Sequence, residues 1–341
     1  MKKQITVHTA GWIYAFIHFS VDAACFYFLF SRLDASPAWW ALAMLYDALA
    51  FVPQAFFGLL ADRFPKINFG LAGCVFVLVA LVLPFDIPAL LIISLGNALA
   101  HIGGAQHTLC GADGKIAPCG IYVSGGSFGV ITGQLLGVSD FCGLLLPVGF
   151  IVLSVVLSVV VSKAHRVSVS SAEGFDITSN IPIAVIIFLA FVSVAARSFV
   201  GYAIPSDWNN GTAQKILLYC AMGGGKLFGG ILCDKIGYRK TTFISLVVAL
   251  PFLLFGNTFM VLSLIGVGLF SMTMPVTVGI LVSKFPQNPC FAFGITTAAL
   301  FAGTFPAFFI RPEGLLWHQI TVFVLSAVAA VCINLSLKKG K

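Results

Sequence analysis

Charge is what this sequence has least of. Only 9% of its 341 residues are Asp, Glu, Lys or Arg, while 59% are hydrophobic and mean hydropathy is +1.03. Soluble globular domains carry about a quarter charged residues, so a water-facing surface over the whole chain is excluded and a membrane protein is expected. Paired cysteines are also missing. None of the nine cysteines forms a CxxC pair, and most, such as Cys25, Cys74, Cys142 and Cys332, fall within apolar runs. Disulfide frameworks and thiolate metal sites need paired spacing, so these read as small apolar packing residues.

Enzyme signatures are sparse as well. There is no HExxH, and the histidines are scattered over different apolar runs, so no metal centre and no membrane enzyme are expected. Lys226 lies in GGGKLFGG, but a phosphate loop places Ser or Thr after its lysine, and Leu227 follows here. No cofactor and no ATP-binding domain are expected. Any work the protein does must draw on an ion gradient or on its substrate.

What is there is a series of long apolar stretches. About 20 apolar residues cross a bilayer as a helix, and the chain divides into about twelve such stretches, near 8–31, 37–61, 67–84, 88–109, 117–139, 143–162, 181–204, 212–233, 240–256, 259–283, 290–310 and 315–337. The first carries His8, His18 and Asp22 and no small-residue cleavage site follows, so it reads as a mature helix and not a signal peptide. Lys and Arg concentrate in cytoplasmic loops. With both termini inside, that side holds Lys2, Lys3, Arg63, Lys66, Lys115, Lys163, Arg166, Lys235, Arg239, Lys240, Lys284, Lys338, Lys339 and Lys341. The outer loops hold only Arg32, Lys215 and Arg311, leaving Arg197 and Lys226 inside helices. The net charge of +7 is thus dealt out to alternate loops, unlike the single basic face of a nucleic-acid binder.

One motif occurs twice. Residues 58–66 read GLLADRFPK and residues 230–240 read GILCDKIGYRK, so Gly58, Asp62 and Arg63 are matched by Gly230, Asp234, Arg239 and Lys240. The offset from Asp62 to Asp234 is close to half the chain. It predicts two six-helix bundles, 1–162 and 181–341, joined by the polar stretch 163–180, KAHRVSVSSAEGFDITSN, read as an exposed cytoplasmic linker.

Six plus six helices with this doubled loop motif resemble the major facilitator superfamily. HFSVDAACFYF, VPQAFFGLLADRF, GNALAHIGGA, AARSF and MPVTVGILVSKFP further resemble its fosmidomycin-resistance branch, which exports small drugs and metabolites. The resemblance implies that the doubled motif braces the halves on the cytoplasmic side. Each Asp would accept hydrogen bonds from a helix N-terminus, while the basic residues hold to the inner membrane surface. It also implies that the first, fourth, seventh and tenth helices line a central cavity.

Ionisable side chains in a membrane core are costly and face partners or water-filled space. Asp22, Asp47, Arg197 and Lys226 are of this kind. His18 and Asp22 stack on one helical face at i, i+4, and an imidazole beside a carboxylate can exchange protons near neutral pH; with Asp47 they form the expected proton-coupling set. Asn97 and His101 repeat that spacing. Together with Arg197, Lys226, Thr273 and Thr277 they form the expected substrate-binding set. Arg197, always charged, must meet Asp22, Asp47, helix carbonyls or a substrate anion. Gly125, Gly129, Gly133 and Gly137 form a ridge without side chains, which predicts close helix approach, and Pro275 can bend a helix.

The expected function is a proton-coupled secondary transporter exporting a small amphipathic or anionic metabolite or drug. Uptake or exchange of a small organic anion is the alternative, and a transporter-like receptor is the non-transport one. A monomer in the bacterial inner membrane, contacting lipid, substrate and protons and no nucleic acid, is sufficient.

Overall fold

The computed structural model describes residues 5–139, 142–165, 167, 169–203 and 206–338. Lys2, Lys3, Arg166, Lys339 and Lys341 lie outside the described residues. Among the described residues every regular element is a helix, with one isolated β-bridge between Thr178 and Leu337. Ten helices are long and apolar enough to cross a membrane: α1 (Val7–Leu33), α2 (Trp39–Arg63), α4 (Asp86–Leu109), α5 (Ala117–Ser139), α6 (Leu145–Ala164), α7 (Ile183–Ala203), α8 (Thr212–Ile236), α10 (Met260–Lys284), α11 (Pro289–Ala307) and α12 (Leu315–Ser336). Two shorter runs complete the order, α3 (Phe69–Val82) and α9 (238–254), which is interrupted by a π-helical stretch at Phe243–Val248. The expected apolar stretches match these elements to within three residues at nearly every end. Cys142 is the exception among the cysteines named above: it is exposed in the turn between α5 and α6.

Local chemistry sets several boundaries. Asn68 caps α3 by accepting from the Leu71 N–H at 2.9 Å, one of the donors a helix start leaves unpaired. The α10 rod breaks at Met272, three residues before Pro275, whose ring removes an N–H and crowds the preceding turn. Large apolar side chains, including Phe56, Val82, Leu145, Phe188 and Trp317, face outward, a surface suited to lipid and not to water.

Packing pairs recur six helices apart. α1 packs on α5 as α7 packs on α11, α1 meets α6 as α7 meets α12, and α2 crosses to α11 as α8 crosses to α5. The α1–α5 contact follows the glycine ridge. A Cβ on Gly125, Gly129 or Gly133 would strike the backbone oxygen of Ala15, Phe19 or Ala23 in turn, and one on Gly137 would come within 3.0 Å of the Tyr27 oxygen. The two helices therefore touch backbone to backbone over three turns.

The doubled motif joins the first six helices to the last six. Asp62, at the end of α2, accepts from the Cys290 N–H at 3.1 Å, the Phe291 N–H at 2.9 Å and the Ser170 hydroxyl at 2.5 Å. Asp234, at the end of α8, accepts from the N–H groups of Ile116 at 2.8 Å and Ala117 at 3.0 Å. Each carboxylate thus caps the N-terminus of a helix from the other set, α11 or α5. Helix starts leave unpaired N–H groups with a partial positive charge, and the carboxylate satisfies both. Gly58 lets α2 approach the Cys290 backbone, and Gly230 lies 3.0 Å from the Gly120 Cα by the same measure. The two copies differ in burial: Asp62 is 9% exposed, whereas Asp234 is exposed. Arg239 donates to the backbone oxygens of Lys338 at 2.7 Å and Leu337 at 3.1 Å, closing the end of α12. Arg63 is exposed over the Phe64 ring, and Lys240 is exposed.

The polar stretch 163–180 departs from the exposed loop its composition suggests. Ala172 is fully buried and Phe175 nearly so. Ala172 N–H donates to Pro286 O, Ser179 N–H to Ser336 O, and Ser171 O accepts from Gly111 N–H. Its backbone is used as a strap across the ends of α4, α10 and α12, which a composition of Ser, Glu and Asp does not reveal.

Removing the buried cap tests this arrangement. Hydrogen bonds to a charged group contribute about 1.5–3 kcal/mol each, so Asp62→Ala will loosen the α2–α11 junction. Cys290 is fully buried there, and its rate of maleimide alkylation in membranes is expected to rise at least tenfold. Asp234→Ala, at an exposed copy, will have a smaller effect on the same readout; an unchanged rate in Asp62→Ala would remove the cap from its structural role. Filling the ridge with Gly129→Leu will lower the thermal unfolding midpoint in detergent, as overpacking costs about 1–3 kcal/mol or more.

Candidate functional site

The i, i+4 pairs of α1 and α4 meet in the middle of the first six helices. His18 Nε2 lies 3.2 Å from Asp22 Oδ2, and the Asn97 amide donates to Asp22 Oδ1 at 2.8 Å and to the Tyr46 hydroxyl at 3.1 Å. His18 Nδ1 lies 3.2 Å from the backbone oxygen of Tyr122, and His101 Nδ1 lies 2.9 Å from that of Asn97. The Tyr122 hydroxyl in turn donates to the His101 oxygen at 2.8 Å. The imidazoles of His18 and His101 sit edge to face with centroids 4.2 Å apart. Gly126 makes room, since a Cβ there would collide with His18 Nε2 and come within 2.6 Å of Asp22 Oδ2.

Hydrogen bonding assigns the protons. A carbonyl only accepts, so Nδ1 of each histidine carries a hydrogen. His18 Nε2 then faces a carboxylate oxygen, and two lone pairs cannot rest 3.2 Å apart without a proton between them. That proton sits on the imidazole or on the carboxyl. In this geometry the His18–Asp22 pair therefore holds one exchangeable proton.

A second constellation lies among the last six helices. A cavity of about 370 Å³ is lined by Arg197 and Lys226 together with Tyr202, Met222, Phe270 and His318. Among the described residues no carboxylate lies within 4.0 Å of Arg197, so pairing with Asp22 or Asp47 does not occur. Lys226 donates to the Ser127 hydroxyl at 2.8 Å, reaching from α8 to α5, and lies in electrostatic range of Arg197, Asp22 and His101. Two cations thus share one largely apolar space. His318 donates from Nε2 to Leu253 O at 3.0 Å, and its Nδ1 has no partner among the described residues.

The remaining expected site residues are placed as follows. Asn97 holds Asp22 and does not line the cavity. Asp47 is half-buried on α2 and makes no hydrogen bond or ion pair among the described residues. The hydroxyl of Thr273 donates to Phe270 O at 2.7 Å, and that of Thr277 to Met274 O at 3.0 Å; both are buried against their own helix. The run GGSFG at 125–129 has G-x-S-x-G spacing, but Ser127 sits inside a helix, away from any strand-to-helix elbow, and its hydroxyl is taken by Lys226. Tyr122, Tyr46, Ser127, Gly126 and His318 were not singled out from the sequence. Only Gly126, beside the ridge, left a signal there.

No protein-family profile and no curated protein matches the chain. Solved structures do. The E. coli fucose:proton symporter FucP aligns with a TM-score of 0.66 at 12% identity, covering 95% of this chain and 97% of that one. The human organic anion transporter MFSD10 aligns at 0.66 and 13% identity, covering 97% and 100%. A bacterial homologue of the iron transporter ferroportin, in an outward-facing state, aligns at 0.59 and 13% identity, covering 97% and 98%. At such identities the likeness is one of fold, end to end. With ten helices long and apolar enough to cross a membrane among its described residues, the chain is a multi-pass helical membrane protein that shares the fold of these transporters.

Proposed function

We propose that the protein is a secondary transporter that moves a small organic anion with an apolar body and couples this to protons. The observation that carries the proposal is the cavity: Arg197 and Lys226 line it without a carboxylate partner among the described residues, and the rest of its wall is mainly apolar. A guanidinium fork grips a carboxylate or phosphonate bidentately. The ammonium supplies a second charge, for which the anion competes with Ser127.

In this reading residues 1–162 and 181–341 are two six-helix bundles that rock against each other, the cavity lying within the second and reached from the first through the Lys226–Ser127 bond, with α3 and α9 as the two shortest spans, both termini cytoplasmic and 163–180 strapped across that face. The Asp62 and Asp234 caps close the cytoplasmic side. Opening it breaks both caps at once, which makes them a latch. His18–Asp22 carries the proton, and Asp47 offers a second carboxyl without a hydrogen-bond or ion-pair partner among the described residues. Proton loss from the pair sets an imidazole lone pair against a carboxylate, so the His18 ring turns away from Asp22 and loosens its Nδ1 bond to the Tyr122 oxygen on α5. Export follows from the resemblance to the fosmidomycin-resistance branch and would place the protein in the bacterial inner membrane; the same fold serves uptake.

Proteoliposomes carrying a pH-sensitive dye test this. Adding anionic, neutral and cationic candidate substrates in turn, proton movement is expected with anions only, and Asp22→Asn should abolish it. Arg197→Gln should raise KM for an anion by roughly tenfold to a hundredfold, the equivalent of losing one or two charge-assisted bonds. Equal transport of neutral substrates with Arg197→Gln unaffected would sink the anion assignment. Anion movement without protons, unchanged in Asp22→Asn, would make the protein an exchanger or uniporter.

A further inference from the structure

The geometry points to a binding site for a divalent first-row transition metal ion, such as Zn²⁺ or Co²⁺, formed by His18, Asp22 and His101. The scattered histidines excluded this in the sequence, where the two rings lie on different helices. The fold removes that objection. One ligand atom from each of the three residues lies within 4.8 Å of the others, and the closest pair, His18 Nε2 and Asp22 Oδ2, is 3.2 Å apart. Metal–ligand bonds of about 2.0–2.2 Å set neighbouring ligand atoms about 3–3.5 Å apart, so small rotations of buried rings close the triangle.

The surroundings are those of a held ligand set. Protein metal sites fix each imidazole by a hydrogen bond from its other nitrogen to a carbonyl or carboxylate, and fix the ligating carboxylate as well. Here both Nδ1 atoms are committed to backbone oxygens, of Tyr122 and Asn97, leaving each Nε2 lone pair as the ligand. Asp22 Oδ1 is held by Asn97, leaving Oδ2. All three residues are buried, as the ligands of an internal metal site are. Two imidazoles and one carboxylate suit Zn²⁺, Co²⁺, Ni²⁺ or Fe²⁺ and not Ca²⁺ or Mg²⁺, and three protein ligands leave a coordination position free.

The metal uses the same lone pairs that share the proton, so the two exclude each other. The Lys226 ammonium is bonded to Ser127, the neighbour of the Gly126 that packs on His18 and Asp22, and opposes a bound cation. Removing its charge will therefore tighten binding, an effect that a nonspecific surface histidine site does not share.

Metal binding is read without substrate, so it stands or falls separately from transport. The full chain, purified in detergent without a polyhistidine tag, is titrated with CoCl₂ while visible d–d absorption is followed, then challenged with ZnCl₂. One saturable equivalent is expected, displaced by Zn²⁺. The band should vanish in His18→Gln and in His101→Gln, weaken at least tenfold in Asp22→Asn, and appear at several-fold lower Co²⁺ in Lys226→Gln. The other histidine pair, His107 and His165, whose Nδ1 atoms are 3.3 Å apart, is the control, and His107→Gln should leave the band intact. No band in the wild type, a band surviving both His18→Gln and His101→Gln, or one lost only in His107→Gln overturns the assignment. The histidine variants sit on separate helices, so misfolding of one, seen by gel filtration, leaves the other to decide. In the wild type alone, Zn²⁺ should raise the unfolding midpoint, as a ligand of the native state does, and an unchanged midpoint counts against the site.

Discussion

Two carboxylates placed at the starts of other helices hold this molecule together. The first N–H groups of a helix have no partner within it and carry partial positive charge, and leaving one buried and unpaired costs about 1–3 kcal/mol. Asp62 and Asp234 meet that need for α11 and α5 from the ends of α2 and α8. Because each bond runs between the first six helices and the last six, the same interaction that completes a helix also fixes the relative position of the two sets. It is reversible, since it consists of a few hydrogen bonds and no interlocked side chains. Its two copies are unequal: Asp62 is buried and gains a third donor in Ser170, from the strap, while Asp234 is exposed.

The glycine ridge of α5 has a different role. By bringing α5 onto α1 with backbone in contact, it places the Tyr122 carbonyl opposite His18 and opens a gap at Gly126 for the His18–Asp22 pair. The geometry of the pair is thus set by a missing side chain on one helix and a backbone oxygen on the same helix. Any motion that slides α1 along α5 changes both together.

The cations behave in the opposite way. Buried charges are normally paired or solvated, and Arg197 lines a cavity with no acid in contact among the described residues and with Lys226 on the same wall. In the proposed reading, like charges held together in a largely apolar space favour an anion. Lys226 also spans to Ser127 on α5, two residues from Gly125 in the ridge, so the cavity and the proton pair share a helix.

The apolar stretches and the doubled motif were legible in the sequence because they depend on composition and periodicity along the chain. The i, i+4 pairs His18–Asp22 and Asn97–His101 were legible for the same reason, since a helix fixes which residues share a face. The close approach implied by Gly125 to Gly137 was also legible, though not against which helix. What the tertiary structure alone decided is which faces meet. It put Asn97 on Asp22 and not on a cavity wall, turned the Thr273 and Thr277 hydroxyls back onto their helix, left Arg197 without an acid and folded 163–180 into a strap. Each of these depends on distances between segments far apart in the chain, and a single sequence specifies such distances only through the packing that it produces.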